Sequence, residues 1–92
     1  MGNSGQGCIL PTRLLVEDSV YDEVVGMVVG MCRQMKVGDP FEADTILGPV
    51  INEQACKRIL GVIDRARDEQ AGTLLTGGSR VGGDLANGYF VD

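Results

Sequence analysis

Histidine is absent from the 92-residue chain. Its absence removes imidazole as a general base or metal ligand, and with it any Cys–His or Ser–His pair built from this chain alone. Cysteine is scarce and unpaired. Cys8, Cys32 and Cys56 are odd in number, far apart, and form no Cys-x-x-Cys step. That spacing encodes neither a disulfide framework nor a zinc site, and it suits a compartment where thiols stay reduced. No basic cluster interrupts a net charge of −5, which argues against a phosphate-neutralising surface for nucleic acid. Charges or glycines break every apolar run before it could cross a bilayer. Met1-Gly2-Asn3-Ser4-Gly5 has neither the charged n-region nor the apolar h-region of a secretory leader. The expectation is a cytoplasmic protein without metal, membrane or nucleic-acid partner. No internal repeat is found.

What is present is ordinary globular composition, 43% hydrophobic and 23% charged. The length suits one small domain with a modest core. Fourteen glycines are about twice the usual share. They gather toward the two ends, so loops are expected there and regular structure between. Thr12-Arg13-Leu14-Leu15-Val16 reads as a short buried strand following Pro11. Ser19 offers an N-cap, with Asp22 approximating a capping box, for a helix over about residues 20–35. There Val20, Val24, Val28, Met31 and Met35 recur at helical spacing beside a second apolar row of Val25, Val29 and Cys32. So wide a stripe predicts burial on more than one side, with Met27, Met31 and Met35 as packing residues. Gly26 and Gly30 predict a close helix contact.

Gly38 and Pro40 stop that helix, and residues 38–51 form a loop. Asn52 should cap a second helix over about residues 53–70, ended by Gly72. Ala55, Ile59, Val62, Ile63 and Ala66 share one face of it. Residues 73–76 and 89–91 read as further short strands, the last after the Asn87-Gly88 turn signal. The order strand, helix, helix, strand, strand predicts an α/β layer pair of short strands with two packed helices.

The chemistry-bearing feature is Asn3-Ser4-Gly5-Gln6-Gly7-Cys8, followed five residues later by Arg13. A glycine-flanked thiol before a strand is open to a ligand and lets backbone approach closely. Cys8 on its own is more often a small buried hydrophobe than a catalyst. Its context is more specific. Asn-x-Gly-Gln-x-Cys, then Ser19 to Val24, Lys36 to Pro40, Thr45 with Gly48-Pro49, Asn52-Glu53, and Gly77-Gly78 through Val91 resemble the aldehyde dehydrogenase superfamily along essentially the whole chain.

That resemblance implies a set of roles. Cys8 would be the nucleophile that attacks an aldehyde to give a thiohemiacetal. Hydride transfer to NAD or NADP would leave a thioester, which water hydrolyses. The Cys8 backbone N–H would be one oxyanion donor. Asn3, Gly5 and Gln6 would shape the loop, Gly7 and Ile9 would line the substrate path, and Arg13 would be structural. Two positions on the first turns of the second helix hold the nicotinamide ribose in the family. Ala55 departs from that pattern, and Arg58 keeps the charge with a different shape.

The resemblance also implies that residues 1–92 are a partial catalytic domain, continuing at both ends in the whole enzyme. The cofactor-binding domain and the water-activating glutamate would then lie elsewhere. Such a chain is expected to hold no cofactor and to be inactive alone, although whole family members are homo-oligomeric. Two other readings use the same motif. One is a non-catalytic structural or regulatory module of this fold. The other is part of a semialdehyde enzyme that resolves its thioester with coenzyme A. Gly77-Gly78-Ser79 and Gly82-Gly83 lack the order of a phosphate cradle and read as loop.

Overall fold

The computed structural model describes residues 2–92. Two helices dominate it: α1, Tyr21–Arg33, and α2, Glu53–Asp68. Short 3-10 turns at Gly2–Gly5, Asp18–Val20 and Gly83–Leu85 punctuate the rest.

Asn52 behaves as a local capping rule demands. It sits extended (φ −164°, ψ 174°), and its Oδ1 accepts from the Ala55 N–H at 2.8 Å. Helix α1 begins differently from expectation. A 3-10 turn leads in, Val20 occupies the cap without a side-chain bond, and the Ser19 hydroxyl donates to Glu17 Oε1 at 2.8 Å. Asp22 and Glu23 still place negative charge in the first turn, where the helix dipole favours it.

The end of α2 also departs from expectation. Gly72 does not terminate it. Gln70 takes the left-handed position with φ 51°. The Ala71 N–H reaches back to Ala66 O at 2.9 Å, and the Gln70 N–H donates to Arg67 O at 3.1 Å. This pair of bonds is a Schellman closure, whose left-handed residue is usually glycine. A side chain there costs about 1–2 kcal/mol. Gln70→Gly is therefore expected to stabilise the chain by about 0.5–1 kcal/mol, once glycine's larger entropy loss is subtracted. The urea midpoint should rise with an unchanged slope.

None of the three expected short strands forms among the described residues. The only ladder fragments there are single bridges, Val37 with Leu47 (parallel) and Arg80 with Val91 (antiparallel). Residues 11–17 carry no regular structure, and Leu14 and Leu15 are exposed by 66% and 95%. A strand exists through pairing with a neighbour, and among the described residues no backbone hydrogen bond or bridge pairs 12–16 with another segment. The C-terminal segment comes nearest to a strand. It pairs with 78–81, not with 73–76, through Val81 N–H to Phe90 O (3.0 Å) and Asp92 N–H to Ser79 O (3.0 Å).

The core is small and lies where α2 meets this segment. Val50, Cys56 and Phe90 are its buried apolar residues, and the Val50 N–H donates to Tyr89 O at 2.9 Å. Along α2, Ile59 and Ile63 are half-buried while Val62 is exposed. Helix α1 contributes no buried residue. Its wide stripe is real, but Met27, Val28 and Met31 face solvent. The predicted packing role of Met27 and Met31 is thus not met among the described residues. Nor is the close contact at Gly26 and Gly30, where an added Cβ would meet open space. The stripe records an apolar face. Burial needs a complementary surface, which the described residues do not supply.

Candidate active site

Residues 2–10 build the loop that carries Cys8. Asn3 (φ 52°, ψ 38°), Ser4 (φ 52°, ψ 35°) and Gly5 (φ 75°) are left-handed in succession. Only Gly5 adopts this backbone without steric penalty. Asn3 and Ser4 each carry a cost of about 1–2 kcal/mol. Hydrogen bonds hold the conformation in place. The Gln6 backbone N–H and its Nε2 both donate to Asn3 O, at 3.0 and 3.1 Å.

Two further bonds fasten the loop to the segment leading into α2. The Ser4 hydroxyl donates to Gly48 O at 2.8 Å, and the Ile51 N–H donates to Gln6 Oε1 at 3.1 Å. Gly48 precedes Pro49, which has no N–H, and the segment then runs directly into the Asn52 cap. Asn3 thus acts here through its backbone carbonyl, Gly5 through its dihedrals, and Gln6 through both ends of its amide.

Beyond this anchor the chain makes a second turn, closed by the Leu10 N–H on Gly7 O at 3.2 Å. Cys8 and Ile9 occupy its two central positions. Cys8 is exposed and free of disulfide, and Ile9 is 90% exposed. Gly7 is half-buried, and a Cβ there would lie 3.3 Å from Leu10 Cγ, a tight fit. Among the described residues no hydrogen bond uses the Cys8 N–H. Thiol and amide are both available to a ligand. An exposed thiol beside an unused N–H can add to an electrophilic carbon and stabilise the oxygen that results.

The remaining predicted residues are more scattered. Arg58 lies on the second turn of α2, exposed and in no ion pair among the described residues. No hydrogen bond there joins it to the Cys8 loop. The Ala55 N–H is already taken by the Asn52 cap. Cys32 is half-buried and Cys56 buried.

The perturbed carboxylates pair with lysines and not with the loop. A hydrogen bond from Lys36 holds the Asp44 carboxyl below its ordinary range, and the same bond raises Lys36. Lys57 lowers Glu53 likewise. Both pairs are solvent-exposed, and among the described residues neither carboxylate hydrogen-bonds to the Cys8 loop. A cleft of about 380 Å³, bordered by Cys32, Arg33, Met35, Leu47, Thr76 and Asp92, takes no residue from the Cys8 loop.

The bond between Ser4 and Gly48 was not anticipated from the sequence, where Gly48 figures only in a motif match and Ser4 as the variable position of the loop. The available signal was modest: one hydroxyl inside a glycine-rich loop, and a Gly-Pro step whose proline has no N–H. Neither shows that the two meet 44 positions apart.

A family model described as "Aldehyde dehydrogenase family" matches residues 1–92. The 1-pyrroline-5-carboxylate dehydrogenase of Geobacillus sp. (strain WCH70) is 40% identical over 90 residues, covering 98% of this chain and 16% of that protein. An aldehyde dehydrogenase of Paracoccus denitrificans is 35% identical over 92 residues, covering 98% and 18%. Among solved structures, HpcC from Thermus thermophilus superposes with a TM-score of 0.88 at 35% identity, over 96% of this chain and 18% of that one. Betaine aldehyde dehydrogenase from Staphylococcus aureus, in complex with NAD+, gives 0.89 at 32% identity, over 98% and 18%. The chain spans less than a fifth of the length of these relatives.

Proposed function

The chain belongs to the aldehyde dehydrogenase family, and on that premise we propose that it is the nucleophile-bearing part of an NAD- or NADP-dependent enzyme that oxidises an aldehyde to a carboxylate. The observation that carries this reading is the position of Cys8. Its thiol is exposed at a turn tip, on a loop whose base is bonded to the approach of α2.

Cys8 adds its sulfur to the aldehyde carbon. One S–C bond forms, the C=O π bond opens, and the oxygen takes the proton, giving a thiohemiacetal. The unused Cys8 N–H donates to that oxygen. Asn3, Gly5 and Gln6 hold the turn in place, and Gly7 and Ile9 border the approach to the thiol. A cysteine in a point mutant of the Staphylococcus aureus betaine aldehyde dehydrogenase has been observed modified by BME, which fits a reactive thiol in this family.

NAD or NADP fits these residues at one point. The Ala55 methyl can neither donate nor accept, whereas the exposed Arg58 guanidinium is free to hold a nicotinamide ribose. Bound in the whole enzyme, the dinucleotide supplies the hydride acceptor. The 92-residue chain alone is expected to hold no cofactor and to reduce no NAD or NADP with an aldehyde. The relatives carry names as different as 1-pyrroline-5-carboxylate dehydrogenase and betaine aldehyde dehydrogenase; the family supports an aldehyde as the substrate class, and these names single out no one aldehyde.

The test is labelling with a thiol-reactive aldehyde analogue, followed by peptide mapping. Cys8 should be modified first, with Cys32 slower and Cys56 last. Equal, slow modification of all three would instead favour a structural module without the chemistry.

A further inference from the structure

We infer that Ser4 is a positioning residue, whose bond to Gly48 couples the Cys8 loop to the start of α2. The inference rests on Cys8 as the nucleophile, but its test reads the coupling and not the chemistry.

The Ser4 Oγ to Gly48 O bond, at 2.8 Å, is part-buried and joins segments 44 positions apart. Ser4 is the second of two non-glycine residues held left-handed in this loop. Without its hydroxyl bond, that backbone keeps only the two Gln6 bonds to Asn3 O, which do not involve Ser4, and Ser4 is freer to relax toward the ordinary right-handed or extended regions. The loop end at Asn3–Gly5 would then swing, and Gln6 would leave the Ile51 N–H, its second tie at 3.1 Å. Ile51 directly precedes the Asn52 cap of α2, the helix that carries Arg58. Ser4 therefore fixes the distance between the turn that presents Cys8 and the helix that presents Arg58, without itself touching substrate.

The experiment uses the 92-residue chain, with amide hydrogen exchange read by NMR. Ser4→Ala should accelerate exchange at the Ile51 N–H about 3- to 10-fold, the size of one lost hydrogen bond. Amides in the middle of α2, such as Val62, should be unaffected, which shows that the fold persists. Ser4→Gly accepts the left-handed backbone freely but lacks the hydroxyl, and should accelerate Ile51 exchange as Ser4→Ala does. Gln6→Leu should give the same acceleration from the other side of the tie. Alkylation of Cys8 should move the Ile51 amide resonance in wild type and leave it in place in Ser4→Ala. Unchanged Ile51 exchange in Ser4→Ala or in Ser4→Gly overturns the positioning role. If Cys8 labels selectively while Ser4→Ala has no effect, only this inference fails. If Cys8 is not selective while the Ile51 response remains, the proposed function fails and the coupling stands.

Discussion

Phe90→Ala is expected to remove about 3–5 kcal/mol of stability and to leave the chain largely unfolded at 25 °C. Phe90 is one of three buried apolar residues among those described, with Val50 and Cys56. Its ring packs against Gly88 so closely that a methyl group there would overlap it. Backbone bonds to Val81 and, through Tyr89, to Val50 anchor the segment that carries it. Truncation would keep those bonds in principle but remove the side chain that makes the segment dock. Domains of this size are stable by roughly 0.05–0.15 kcal/mol per residue. A core of three residues belongs at the low end, so the loss is comparable to the total. Urea denaturation followed by circular dichroism measures it directly. Phe90→Leu should recover more than half of the loss. A cost below about 1 kcal/mol for the alanine variant would mean that Phe90 is not central to the core.

Cys8→Ser is expected to abolish the most rapid covalent modification of the chain while leaving its stability within about 0.5 kcal/mol of wild type. Cys8 is exposed and central in a turn closed by Gly7 and Leu10, so its sulfur makes no core contact to lose. A serine hydroxyl is a far poorer nucleophile than a thiolate. In peptide maps after brief exposure to an aldehyde analogue, the variant should show only slow modification at Cys32. The mirror variant, Cys32→Ser, should keep the fast phase intact. A fast phase that survives Cys8→Ser would transfer the nucleophile role elsewhere.

How much of this was legible in the sequence depends on the range of the interactions involved. Asn52 was readable as a cap because its partner, Ala55, lies three positions on. Both helices appear close to their expected spans for the same reason, since helical periodicity is local. The end of α2 was misjudged by two residues. Glycine is the usual left-handed residue, yet Gln70 takes that role, because the closure over Ala66 and Ala71 is set by the helix geometry. Thr12–Val16 has the composition of a strand and α1 the stripe of a buried helix. Each needs a partner surface that the described residues do not contain, so composition alone misstates their environment. The role proposed for Cys8 rests on the spacing of Asn3, Gly5 and Gln6 and on the ordered matches downstream. The thiol by itself carried little weight. The tie from Ser4 to Gly48 was beyond reach, because nothing in either segment's composition specifies a contact 44 positions away.

The central claim is that the folded loop around Cys8 promotes addition of its thiol to an aldehyde. Its most direct test is the equilibrium of the chain with a small aldehyde labelled with carbon-13 at the carbonyl, the thiohemiacetal carbon being followed by NMR. Spectra are taken in buffer and in unfolding urea, with a Cys8→Ser control to assign the signal. The account predicts that the Cys8 adduct is about 2- to 10-fold more populated in the folded chain, the contribution of one hydrogen bond from the Cys8 N–H to the adduct oxygen. An adduct at Cys8 that is equally or less populated in the folded chain would contradict it.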